Sequence, residues 1–263
     1  MKKRTYHRRA VLALAAVATL QAESVEHHLN FVACPIVRDT KTVPCFLAEY
    51  KGELYFLGTQ GDLTSSFYPP QLLHQALIEG VVSDGPRVCG GIPLRSLTVS
   101  VLPEVNRSCN VMLPAEDGIE APKVPRGPGP SSERYDPAAP RPQPEPPKPP
   151  YQTREFTIRY DFDSDYLSGR STRVIEEAIN YAKLAHASSV EVVSYRAASR
   201  LSSGEDLAEQ AGIAERRGQQ MDKILKTLGL SAESIHSSWK EEPEASDGVS
   251  DPQHRRTTIV VKP

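Results

Sequence analysis

Phe156-Thr-Ile-Arg-Tyr-Asp-Phe162 alternates strictly between apolar and polar side chains, so Phe156, Ile158, Tyr160 and Phe162 share one face of a strand. Downstream, Val174, Ile175, Ala178, Ile179 and Ala182 recur at helical spacing and form the apolar stripe of a first helix. Val190-Glu-Val-Val193 reads as a second strand. The pattern then predicts a second helix from about Leu207 to Leu228, burying Ala211, Ala214, Met221, Ile224, Leu225 and Leu228, with Gly229 as its stop. Two further strands follow, near Glu233–Trp239 and Thr257–Val261. Residues 153–263 therefore read as βαβαββ, an α+β sandwich with helices on one face of a sheet.

Upstream the composition changes abruptly. Of 23 prolines, twelve fall between Pro122 and Pro150. Such a stretch forms neither helix nor sheet, and its last residues favour polyproline II at roughly 3.1 Å per residue. Residues 117–152 are expected to be a linker, stiff enough to hold its two flanks tens of ångströms apart.

Residues 23–116 look mainly β. Cys45–Tyr50 and Leu54–Gly58 flank Lys51-Gly52-Glu53, a hairpin with glycine at its turn. Leu72, Leu73, Ala76 and Leu77 suggest a short helix from Pro70 to Ile78. Leu77–Val82 and Leu97–Val101 add strands, with Gly90-Gly91 marking a turn or bulge. Short strands with one helix suggest a small barrel or sandwich, an OB-like barrel being one form.

At the start of the chain, Lys2, Lys3, Arg4, Arg8 and Arg9 precede the apolar run Ala10–Leu20 and then Gln21-Ala22. This is the pattern of a secretory signal peptide over residues 1–22. The run is about half the ~20 residues that span a bilayer, so no transmembrane span is expected in the mature chain. Export makes Cys34, Cys45, Cys89 and Cys109 a disulfide set, for which four cysteines allow three connectivities. Closure of short hairpin loops favours Cys34–Cys45 with Cys89–Cys109. Zinc would want CxxC-type spacings, which are missing. A formal net charge of −2 carries no basic footprint for nucleic acid.

The C-terminal unit resembles the OmpA-like peptidoglycan-associated family. Tyr160-Asp-Phe-Asp-Ser164 followed by Leu167 looks like the family's F-x-F-D-S-x-x-L opening. Val190-Glu-Val-Val-Ser-Tyr195 looks like the strand running into its ligand turn. Ile213-Ala-Glu-Arg-Arg-Gly-Gln-Gln-Met221 looks like its second helix, and Arg255-Arg256-Thr-Thr-Ile259 like its closing strand. The resemblance implies a site in which a turn aspartate and a helix arginine clamp the zwitterionic end of diaminopimelate in the peptidoglycan stem peptide. A carboxylate takes the ammonium and a guanidinium fork takes the carboxylate.

Arg217 matches the helix arginine, whereas Ala197 stands where the aspartate belongs. The segment between turn and helix is also longer than usual. Glu205 or Asp206 could supply the missing carboxylate, or Arg196 and Arg217 together could take an anionic wall component, with Tyr195 and Arg256 nearby. Alternatively, Arg217 pairs internally with Glu209 or Glu215.

Asp161, Asp163 and Asp165 mimic the start of a calcium loop, but its sixth and twelfth positions hold Tyr166 and Thr172. No catalytic, cofactor or metal motif stands out. The expected function is that of an exported periplasmic protein, with association to the outer membrane or the cell wall as a further expectation. It would bind peptidoglycan non-covalently and present an N-terminal interaction domain to an envelope protein. The alternative is an envelope scaffold whose OmpA-like unit docks a protein instead.

Overall fold

The computed structural model describes residues 26–60, 62, 72–123 and 147–263. The expected signal segment and most of the proline-rich segment lie outside them. No helix of the described residues is long and apolar enough to cross a membrane.

Seven strands build the N-terminal sheet: β1 (His28–Ala33), β2 (Pro35–Arg38), β3 (Cys45–Tyr50), β4 (Glu53–Thr59), β5 (His74–Val82), β6 (Ile92–Val105) and β7 (Val111–Leu113). Their order is β1-β5-β6-β4-β3-β2-β7, antiparallel except for β4 beside β6 and β2 beside β7. Only Cys34 separates β1 from β2, so one bent run pairs with β5 at one end and β3 at the other, and the sheet curls back on itself. Alternate residues point inward: Leu29 and Phe31, Phe46 and Ala48, Tyr55 and Leu57, Ala76 and Ile78, with Val99. The β3–β4 hairpin turns on Lys51 and Gly52, both at positive φ (52° and 82°), as a two-residue turn between twisted strands requires.

Two expectations are corrected here. The disulfides are Cys34–Cys109 and Cys45–Cys89, not the sequence-local pairs. Strand curling carries each cysteine away from its hairpin neighbour, leaving Cα separations of 4.8 and 6.3 Å for the pairs that form. Cys45 and Cys89 also join Ile36 and Leu47 in a second small core outside the curled sheet. The helix expected over Pro70–Ile78 is strand β5 from His74 onward, with Leu72 and Leu73 in a bend and residues 70 and 71 outside the described set. Six consecutive β5 residues are buried, so both faces are covered and the period of two is lost.

The C-terminal half contains β8 (Arg154–Arg159), α1 (Gly169–Leu184), β9 (Ser189–Tyr195), the short hairpin β10 (Ala198–Arg200) and β11 (Asp206–Ala208), α2 (Ile213–Thr227), β12 (Ile235–Lys240), α3 (Asp251–His254) and β13 (Arg256–Lys262). The sheet order is β12-β9-β13-β8, with β12 parallel to β9 and β13 antiparallel to β9 and β8. Helix α1 starts where the Ser168 side chain accepts the Ser171 amide, and its Ile175, Ala178, Ile179 and Ala182 stripe is buried. Met221 and Leu225 of α2 join the same core with Phe156, Ile158, Val190, Val192, Ile259 and Val261. Helix α2 begins later than its apolar pattern suggests. Leu207 lies in β11, Ala211 is exposed, and Gly212 at φ 83° turns the chain into the helix.

The two halves touch directly, so the expected spacer does not hold them apart. Glu79 of β5 meets Arg255 at 2.5 Å, both buried. Asn30 of β1 donates to the carbonyls of Arg200 and Gly248, and its own carbonyl accepts the Ser202 amide. Ser100 of β6 accepts the Phe162 amide at 2.9 Å. The second covered face of β5 is thus the face turned to the C-terminal half.

Candidate functional site

Strand β9 ends at Tyr195, and the chain passes through Arg196 and Ala197 into the β10–β11 hairpin. It returns at Glu209, immediately after β11. Glu209 donates its amide to the Ala197 carbonyl at 2.9 Å, and Ala197 donates its own amide to Glu209 Oε2 at 2.8 Å. This pair of hydrogen bonds closes the base of the hairpin and fixes the Glu209 carboxylate beside α2.

Arg217 projects from α2 onto that carboxylate. Its Nη2 donates to Glu209 Oε1 at 2.6 Å and its Nη1 to Oε2 at 3.0 Å, a bidentate fork. The remaining donors are also taken: Nε by the Ser164 carbonyl (2.9 Å), Nη1 by that of Tyr195 (3.0 Å) and Nη2 by that of Asp161 (3.4 Å). A guanidinium has five N–H groups, and all five point at protein acceptors. Its face lies 4.6 Å from the Tyr160 ring centroid. Glu209 is equally saturated, since the Asp163 amide donates to Oε1 at 3.0 Å. Both side chains are fully buried. A buried ion pair repays its desolvation only when the geometry is good and the remaining donors and acceptors are satisfied, and here they are.

The other residues singled out in the sequence fall into two groups. Tyr195, Arg196 and Ala197 surround the Glu209–Arg217 pair. Arg196 donates from Nε to the Glu209 carbonyl (2.6 Å) and from Nη1 to the Glu241 carbonyl (3.2 Å), and Ala197 is fully buried. Arg256 forms its own bidentate pair with Glu244 at 2.7 and 2.8 Å, its guanidinium 4.1 Å over the Tyr195 ring. The hydrogen bond from Arg256 holds the Glu244 carboxyl below the usual range. Glu205 and Asp206 do not fill the aspartate's place. Asp206 is exposed and bonded to Arg200 and Ser246, and Glu205 accepts from Ser203.

Two further residues complete the site. Glu241 accepts the amides of Gly212 (2.9 Å) and Glu215 (3.0 Å), so the N-terminus of α2 holds an internal carboxylate. Asp163 accepts the Gln210 amide at 2.5 Å. Burial pushes the Asp163 carboxyl above its ordinary range; the Gln210 hydrogen bond opposes that shift, while Glu209 and Glu104 add to it. Nothing in the spacing of Asp163 or Glu241 marks them for these roles, because both depend on loops that only the fold brings to α2.

Element order and the position of the helix arginine now stand together. The C-terminal half resembles the OmpA-like fold. Among solved structures, the OmpA-like domain of FopA1 from Francisella tularensis subsp. tularensis SCHU S4 is 22% identical over 42% of this chain and 73% of that one, with a TM-score of 0.34. A MotB-like protein from Desulfovibrio vulgaris is 11% identical with the same coverages and TM-score. No family model matches the chain. No curated protein matches it.

Chemically, the C-terminal half presents a guanidinium fork whose carboxylate comes from the chain itself. Glu209 engages the guanidinium in the two-point manner expected of an outside carboxylate, and Ala197 offers no charge for an ammonium.

Proposed function

We propose that this is an exported cell-envelope protein whose OmpA-like half acts as a docking scaffold, its arginine fork closed from within by Glu209. The observation that carries this reading is the saturation of all five Arg217 N–H groups by protein acceptors. A stem-peptide carboxylate would have to displace Glu209, leaving a buried carboxylate without its cation, at a cost of about 3–5 kcal/mol. With Ala197 in the turn, no carboxylate at that position would repay it by pairing with the ligand ammonium.

Periplasmic placement is supported by the two disulfides and by the basic and apolar pattern of residues 1–22. The N-terminal sheet is read as an OB-like barrel. Counting β1 with β2 as one strand gives a five-strand ring in which the third strand runs parallel to the fifth. In this reading the barrel and the OmpA-like half together offer a surface to an envelope protein.

Co-sedimentation of the full chain with insoluble peptidoglycan tests the proposal. The protein is expected in the supernatant. Sedimentation that free meso-diaminopimelate reverses would overturn the proposal in favour of wall binding.

A further inference from the structure

The Glu209 carboxylate is held by three partners besides its own backbone: Arg217, the Ala197 amide and the Asp163 amide. The segments carrying the two amides, and the segment carrying Glu209 itself, are each tied to the N-terminal sheet within two residues. Two residues past Ala197, Ser199 Oγ donates to Glu79 of β5 at 2.8 Å, a fully buried contact. One residue before Asp163, the Phe162 amide donates to Ser100 of β6. One residue past Glu209, Gln210 Nε2 donates to Glu104 of β6 at 2.8 Å. The tip of the β10–β11 hairpin is fixed as well, because Asn30 accepts the Ser202 amide at 2.7 Å while its own amide donates to Ser202 Oγ at 2.9 Å.

We infer that Glu209 is a tethered latch on Arg217 and that the N-terminal sheet holds it shut. The hairpin itself is small, with three residue pairs between β10 and β11. A two-stranded ribbon of that size is not stable alone, so its position depends on what it packs against. When the sheet separates from this surface, the hairpin loses its contacts with Asn30 and Glu79, and the 162–163 turn loses Ser100. Glu209 can then leave, and the Arg217 fork becomes available to the carboxylate of a peptide. The two halves are thereby coupled: occupancy of the arginine by an outside carboxylate and docking of the sheet exclude one another. This inference rests on the reading of Arg217 as closed by Glu209.

Two measurements on the full chain test it. In the wild-type protein, amide hydrogen exchange over a range of low urea concentrations should release the Ser202 amide, bonded to Asn30, and the Ala197 amide, bonded to Glu209, in one opening event. An Ala197 amide that stays protected while Ser202 exchanges would overturn the latch. In the second, Asn30→Ala combined with Ser100→Ala loosens the sheet without touching Arg217. With arginine side chains labelled with nitrogen-15, the Arg217 Nε proton should exchange at least tenfold faster in this variant. Its resonance should also shift saturably with meso-diaminopimelate. Exchange unchanged from wild type, or a freed Arg217 that does not respond to the probe, would overturn the inference. A wild-type resonance that shifts as readily would instead end the reading of a closed site.

Discussion

Glu79 and Arg255, 176 residues apart in sequence, meet at 2.5 Å in the buried seam between the two sheets. Glu79 shares its other oxygen with Ser199, whereas Nε and Nη1 of Arg255 are buried without a hydrogen-bond partner among the described residues. The guanidinium also lies 5.8 Å from the Phe162 ring centroid. This pair makes the seam a place where charge must stay matched.

Removal of one partner therefore costs more than removal of both. Glu79→Ala should destabilise the chain by about 3–5 kcal/mol by stranding the arginine, while Glu79→Leu with Arg255→Met should cost much less. Urea unfolding of the full chain measures both. A double variant as unstable as Glu79→Ala would mean that the pair's charge is not what the seam depends on.

The disulfide connectivity can be read chemically. Non-reducing peptide mapping should link the Cys34 peptide to that of Cys109 and the Cys45 peptide to that of Cys89. Each bond closes a long loop, 75 and 44 residues, so replacing either pair with serine should cost about 4 kcal/mol on the chain-entropy account. Hairpin-local links would contradict the curled arrangement of β1 and β2.

Gly91 sits where two strand backbones approach. A Cβ there would lie 2.9 Å from the Phe56 amide nitrogen and 3.0 Å from the Tyr55 carbonyl carbon. Backbone cannot yield as a side chain can, so Gly91→Ala should lose about 1–3 kcal/mol. Gly52→Ala is the useful contrast, because a Cβ at position 52 meets nothing and only the positive φ is penalised.

Asp247, like Glu244 in the same loop before α3, should contribute to the acid response of the chain. Its carboxylate accepts the Ser250 hydroxyl and the amides of Ser250 and Val249, which hold its pKa well below the usual range. A depressed folded pKa contributes stability above the unfolded value, and that contribution is lost as pH falls through the folded one. Melting temperatures measured from about pH 5 down to about pH 2 should fall less steeply in Asp247→Asn than in wild type. Parallel slopes would remove Asp247 from the acid response.

Much of the C-terminal half was legible in its residues. Phe156, Ile158 and Tyr160 alternate because one face of β8 is core and the other is not, and Ile175, Ala178, Ile179 and Ala182 mark α1 for the same reason. Leu77–Val82 reads as strand, but the start of β5 at His74–Ala76 carries a helix-like spacing, because burial on both faces removes the alternation and the second burial comes from a surface more than a hundred residues away. The disulfide pairing failed similarly, since closure of the sheet, not chain proximity, sets which cysteines meet. Glu209 could be named as one partner for Arg217. That it would saturate the arginine depended on the hairpin carrying it, on the Ala197 and Asp163 amides, and on the carbonyls of Ser164, Tyr195 and Asp161, none of which has a spacing to read.

The closure of Arg217 is the claim on which the rest depends, and hydrogen exchange of its guanidinium tests it most directly. In the wild-type chain labelled at arginine with nitrogen-15, the Arg217 Nε proton should be protected well beyond that of exposed Arg216 and unmoved by a diaminopimelate-containing stem peptide. Rapid exchange, or a saturable shift with the stem peptide, would contradict the account.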